Sequence, residues 1–450
     1  MTPLTAARAQ MEVSLGFHMI FAALGIGLPL LMVLAELQWV RTGAPHWRDL
    51  ARRWSRATAL LFVVGAVSGT ALSFELGLLW PRFMQAAGPV IGPGFALEGF
   101  AFFVEAIFLG MHLYGWERLS PRAHLAAGVA VAFSGMLSGV LVLAVNAWMQ
   151  QPAGFALEGG RAVSVDPTAV FLTPRWFDMA LHSTLACYAS VGFATAGVYA
   201  YAIAKGEGDA RHRGALRLAL LVGGVAAVLQ PMSGHLTAER AGRFQPAKLA
   251  AMEALFTTTA HAPLLVGGIP DVAAREVRYG LHLPSGLSML LHLDPAATVT
   301  GLDRVPRDQW PNVVVSHLAF DVMVGAGFAM MAVALAALYL HARRGGVEAH
   351  PRMLKALVLA APLGFIALEA GWVVSEVGRQ PWVIYGVMRT ADAVTPRTDV
   401  AVTFWTFTAL YAGLGAALVV LLRRLARTPV EDDAKGHGDA PRAEESHADA

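Results

Sequence analysis

Imidazole, carboxylate and thioether side chains occur in this sequence inside long apolar runs. An ionisable group there costs about 2.5–3.5 kcal/mol to insert into a bilayer, so each needs a partner or a task. The set is Glu12, His18, Glu36, Glu75, Glu98, Glu105, His112, His182, Asp321, Glu369 and Glu376. Glu12, Glu36 and Glu376 lie near the ends of their runs, where a carboxylate can reach the polar interface and a structural role suffices. A lone helical histidine is ordinarily a hydrogen-bonded packing residue, and a methionine such as Met323 is ordinarily core filler. Five groups are harder to dismiss. His18, Glu98, His182, Met323 and Glu369 come to similar depth, in the outer half of the membrane, once the topology below is imposed. Imidazole, thioether and carboxylate together describe axial ligation of haem iron. A His/Met pair makes a closed six-coordinate electron carrier, and a single weak ligand leaves a position open to oxygen. Structural zinc is disfavoured, since no closely spaced Cys/His set exists and Cys187 is the sole cysteine.

The elements that must position these groups are transmembrane helices. Of 450 residues, 56% are hydrophobic and 15% charged, against roughly 45–50% and about 25% in a soluble domain. Apolar runs recur near 15–40, 57–81, 95–116, 123–149, 179–204, 215–232, 312–341, 353–377 and 402–423. Each is long enough to cross about 30 Å of hydrocarbon at 1.5 Å per residue. The expected fold is therefore an all-α, polytopic membrane bundle of about nine transmembrane helices. Arginine and lysine crowd alternate connections, at 41–56, 118–122, 205–213, 343–355 and 423–427. By the positive-inside rule those ends are cytoplasmic, with the N-terminus outside and the C-terminus inside. The first run is too long for a signal peptide and is expected to be a retained helix. Four segments follow: helices one to six in 1–232, a polar Pro/Gly-punctuated outer loop in 233–311, helices seven to nine in 312–423, and a disordered cytoplasmic tail in 424–450. A net charge of +2 with scattered arginines argues against nucleic acid as a partner.

Several strings, in this order and with nine spans, resemble cytochrome bd quinol oxidase subunit I over almost the whole chain except the tail. They are RAQMEVSLGFH (8–18), GTALSFELGLLW (69–80), ALEGFAFFVEAIFLGMHLYGWERL (96–119), NAWMQQPAG (146–154) and ALEAGWVVSEVGRQPW (367–382). Carried over by position, the resemblance makes His182 and Met323 the axial ligands of a low-spin haem b. His18 and Glu369 resemble the ligands of two high-spin haems at the oxygen-reducing site, one a haem b and the other haem d or a third haem b. Glu98 corresponds to a carboxylate beside that site, and Glu105 to one on the proton route. GHLTAERAGRFQPAKLAAMEA (234–254) resembles the quinol-binding loop, with Lys248 and Glu253 at positions tied to quinol oxidation. Without the resemblance those two are a solvated loop ion pair.

The implied protein is a catalytic subunit of the bacterial cytoplasmic membrane that oxidises ubiquinol or menaquinol and reduces oxygen to water. It would separate charge without pumping and work with subunit II, often with a tiny single-helix subunit too. Glu98 and Glu105 are seven residues apart, which puts them on one helical face about 10.5 Å apart along the axis. That spacing suits an outward proton relay. Three features depart from the family pattern: Asp321 replaces an arginine two residues before the methionine, Ala106 replaces a hydroxyl residue after Glu105, and the loop after Pro270 is short, as in cyanide-insensitive members. Two other readings compete. A haem-free ion-coupled transporter explains the acids but not the His/Met set, and a b-type cytochrome would pass electrons on without reducing oxygen.

Overall fold

The structure, a computed structural model, describes residues 2–343 and 345–427. Among the described residues nine helices are long and apolar enough to span a membrane: Pro3–Thr42 (α1), Pro45–Leu79 (α2), Pro81–Tyr114 (α3), Pro121–Gln150 (α4), Pro174–Ala204 (α5), Ala210–Phe244 (α6), Val313–Arg343, Pro351–Val377 and Val400–Leu425. Six of the nine begin on proline, whose fixed φ and missing N–H suit the first helical position. Thr2, Ser120 and Asp209 cap α1, α4 and α6 by accepting from backbone N–H groups with their side-chain oxygens. The all-α polytopic architecture is as expected. The stretch 428–450, which holds most of the expected tail, lies outside the described residues.

α1 packs against α2, α4, α5 and the last helix. In its most apolar stretch 61% of α1 is buried, against 11% for the last helix, so α1 is the central element and the last helix is peripheral. Small residues let the backbones close up. A Cβ on Gly192 of α5 would lie 2.4 Å from the Gly223 Cα of α6, and a Cβ on Gly364 would lie 2.3 Å from the Ser190 Cα.

The sixth helix departs from expectation. α6 continues to Phe244, past residue 232 where sequence placed the start of the loop. Its polar last turns stay helical because they face protein: Arg240 bonds the Pro174 carbonyl and pairs with buried Asp178 at 3.3 Å. A short helix, Pro246–Met252 (α7), follows directly. The connection beyond it is folded. Two small antiparallel ladders, 264–266 on 281–283 and 269–271 on 276–278, accompany a helix at Gly286–His292 (α8). Leu249, Phe256, Leu287, Leu291 and Leu302 form its own buried core. Then come Val313–Arg343 (α9), the eighth span broken at Pro362 into Pro351–Ala360 (α10) and Leu363–Val377 (α11), and Val400–Arg427 (α12).

Candidate functional site

His18 on α1 and His182 on α5 are held by the same device. His18 Nδ1 lies 2.9 Å from Ser68 Oγ, and that hydroxyl donates to the Gly65 carbonyl at 3.0 Å. His182 Nδ1 lies 2.9 Å from Ser233 Oγ, which donates to the Gln230 carbonyl at 2.9 Å. Each serine has given away its proton, so each Nδ1 must be the N–H donor. Nε2 of both rings is left as the lone-pair nitrogen, the form in which histidine ligates a metal. The Gln230 amide lies against the His182 ring, 3.2 Å from Nε2, and bonds the His182 carbonyl.

Met323 packs against α11, the helix that carries Glu369. Gly371 has no room for a side chain, because a Cβ there would stand 2.8 Å from Met323 Sδ on α9. Glu369 reaches α1, where a Cβ on Gly16 would be 3.3 Å from its Oε2. Its Oε1 is buried and has no hydrogen-bond partner among the described residues. One helix thus serves both the thioether and the carboxylate. Orphaned acceptors, lone-pair imidazoles and glycine clearances make a donor set that fits haem iron.

Glu98 and Glu105 both face α4. Glu98 accepts from Ser138 Oγ at 3.1 Å, and a Cβ on Gly135 would lie 3.0 Å from Glu105 Oε1, a buried atom without a hydrogen-bond partner. The α4 hydroxyl serves Glu98 and does not replace the one that position 106 lacks beside Glu105.

Lys248 and Glu253 are not a solvated pair. Both are buried on and after α7, and they do not bond each other. Lys248 Nζ donates to Gln150 Oε1 at 2.6 Å. Gln150 in turn bonds Asn146 and Ser375, and Asn146 donates to Glu376 at 2.9 Å, which also pairs with Arg379. Burial first, then the Arg175 and Arg379 guanidinium groups, hold the Lys248 pKa well below its ordinary value, against the opposing pull of Glu376. Burial, and then the Asp321 carboxylate, push Glu253 up to about 8. Asp321 itself stands 3.3 Å from His317 Nε2, while His317 Nδ1 bonds the Met252 carbonyl at 2.7 Å. A cavity of about 180 Å³ opens beside this network, lined in part by Pro246, Arg379, Gln380, Trp382 and Tyr385.

Sequence reasoning missed the serines and Gln150. The serines carry no local signal, since Ser68 and Ser233 are 50 and 51 residues from their histidines. Gln150 stood inside a quoted motif, and its spacing of four from Asn146 on one helical face was the available clue.

The family of cytochrome bd terminal oxidase subunit I matches residues 6–430. This chain belongs to that family. A Bacillus subtilis (strain 168) protein, provisionally named cytochrome bd menaquinol oxidase subunit I, is 38% identical over 96% of this chain and 99% of its own length. The cytochrome bd ubiquinol oxidase subunit 1 of the same organism is 30% identical over 98% and 97%. A chain of the bd oxidase from Geobacillus thermodenitrificans superposes with a TM-score of 0.90 at 38% identity, covering 95% of this chain and 99% of that one. The protein is therefore the haem-containing subunit of a terminal quinol:oxygen oxidoreductase of the bacterial inner membrane, acting with a subunit II. The transporter reading is not favoured.

Proposed function

We propose that His182 and Met323 are the axial ligands of a low-spin haem b, and that His18 and Glu369 ligate two high-spin haems, a haem b and a haem d or further haem b. Bound haem iron supplies one-electron transfer and oxygen activation. The observation that carries the assignment is the pair of serine-anchored histidines, each with Nδ1 as the N–H and Nε2 as the lone-pair nitrogen that can ligate a metal. Ser68 and Ser233 orient the rings, and Gly371 gives Met323 its place.

The segment from α7 to α9 serves as the quinol-binding loop. Quinol gives up two protons on oxidation. Glu253, ionised, takes one, and Lys248 positions the ring oxygens from the wall it shares with Gln150 and Arg379. By the positive-inside rule this loop is outside, so those protons leave outward. Protons for water come from the inner side, with Glu105 passing them to Glu98. Charge separates without a pump.

The test is the reduced-minus-oxidised spectrum of His182→Ala. The low-spin haem band should vanish. An unaltered low-spin spectrum would end the ligand assignment.

A further inference from the structure

We propose that Glu36, His112 and His124 bind one divalent transition-metal ion, apart from the haem ligands, at the end of the bundle away from the loop. The three side chains come from α1, α3 and α4 and are sealed from solvent, at 0%, 0% and 2% exposure. Their ligand atoms lie within 4.8 Å of one another.

The hydrogen bonds around the rings fix where the protons are. His124 Nε2 is 2.9 Å from the His112 carbonyl, which can only accept, so Nε2 is an N–H. His112 Nδ1 is 3.2 Å from Ser55 Oγ, whose own proton goes to the Ala51 carbonyl at 2.8 Å. Nδ1 of His112 is therefore an N–H as well. The remaining nitrogens, His112 Nε2 and His124 Nδ1, are lone pairs in the neutral rings. They face the two oxygens of one carboxylate, Glu36 Oε2 at 2.7 Å and Oε1 at 2.6 Å. Acceptor would stand against acceptor twice, in a site shut away from water. A cation between them resolves both contacts. Second-partner bonds that leave inward lone pairs are the mark of a metal-binding histidine, and Ser55 repeats the arrangement at Ser68 and Ser233.

The surroundings fit this occupant. Gly128 admits the His112 ring to α4, since a Cβ there would be 3.2 Å from Nε2. The Trp116 ring covers His124 at 4.1 Å between centroids. Two imidazoles and both carboxylate oxygens make four donor atoms, a set that suits Zn²⁺ among first-row ions.

The test counts metals in the purified holo-oxidase after a chelator wash and re-exposure to Zn²⁺, with haem measured separately as the pyridine haemochrome. The expectation is about one zinc per chain in the wild type and an at least tenfold loss in His112→Phe, with haem content unchanged. Zinc K-edge absorption of the wild type should show imidazole nitrogen and oxygen neighbours. A wild type that binds no zinc, so that protons alone occupy the site, overturns the proposal. So does His112→Phe that keeps the metal, or an edge spectrum without imidazole. The wild-type count and spectrum stand even if the variant fails to fold.

Discussion

Histidines at the two ends of this bundle each give one ring N–H to an acceptor, a serine for His18, His182 and His112 and a backbone carbonyl for His124, and they face different surroundings. His18 and His182 keep Nε2 as the lone-pair nitrogen, with the His18 ring set against Gly69 and the His182 ring against Gly234 and the Gln230 amide. His112 and His124, at the opposite end, turn their lone-pair nitrogens onto a carboxylate 2.7 and 2.6 Å away. The anchor sets the tautomer, and what stands opposite sets what the nitrogen can hold. A carboxylate held this close suits a bare ion, and among the described residues no carboxylate bonds His18 or His182. The comparison breaks most visibly at His18. His18→Ala should lose one high-spin haem and lower oxygen consumption by about two orders of magnitude or more. His112→Phe should leave all haem bands in place. If both variants lost the same haem, or neither did, anchoring would carry no information about ligation.

The loop sets a second contrast, because its buried charges answer to polar neighbours. Glu253→Gln should cut quinol oxidation by about a hundredfold, the usual scale for a lost general base, while haem content stays intact. An artificial donor that bypasses the quinol site should still be turned over normally. The pH profile carries a sign. Glu253 is pushed up to about 8, and a base must be ionised to accept a proton. Wild-type kcat/KM for quinol should therefore rise with pH until about 8 and level off above it. The Glu253→Gln profile should lose that rise. Lys248→Ala removes the donor to Gln150 Oε1 and should weaken quinol binding in the same assay. Equal loss with the artificial donor would refute the loop site.

A smaller effect is expected on the third helix. Glu105 Oε1 is buried without a partner, and Glu98 takes a hydroxyl from Ser138. Glu105→Gln keeps volume but removes the transferable proton, so oxygen consumption should fall by roughly tenfold with the low-spin haem spectrally normal. A packing role predicts a near-silent Gln and a damaging Ala. Wild-type proton uptake from the inner side in Glu105→Gln would rule out the relay.

What sequence could show follows from the range of each signal. Apolar length is local, so nine spans and their order were legible, as were the strings that resemble the family. Partners far apart in the chain were not. Glu36, near the end of its run, looked free to reach the interface; it is sealed because His112 and His124 arrive from 76 and 88 residues away. Lys248 and Glu253, in a polar stretch, looked solvated. Their burial depends on α6 persisting to Phe244 and on a core formed within the loop itself. Asp321 in place of arginine was visible, but its neighbour His317 is one helical turn away and was passed over.

The finest test concerns the anchor itself. Ser233 accepts from His182 Nδ1 and gives its own proton to the Gln230 carbonyl. Under the proposed ligation, that bond would draw the ring proton outward and make Nε2 a stronger donor, which would favour ferric over ferrous iron. Ser233→Ala removes the acceptor. The Gln230 amide is near the same atom, at 3.3 Å, but it donates and cannot replace the hydroxyl. The ring should keep its haem and lose electron density, so the midpoint potential of the low-spin haem should rise. A hydrogen bond is worth about 0.5–1.5 kcal/mol net, which for one electron is on the order of 20–60 mV. Ser68→Ala should leave that potential unmoved, because Ser68 serves His18. If both serine variants shifted it equally, the rise would reflect general loosening of the bundle and not the bond to His182.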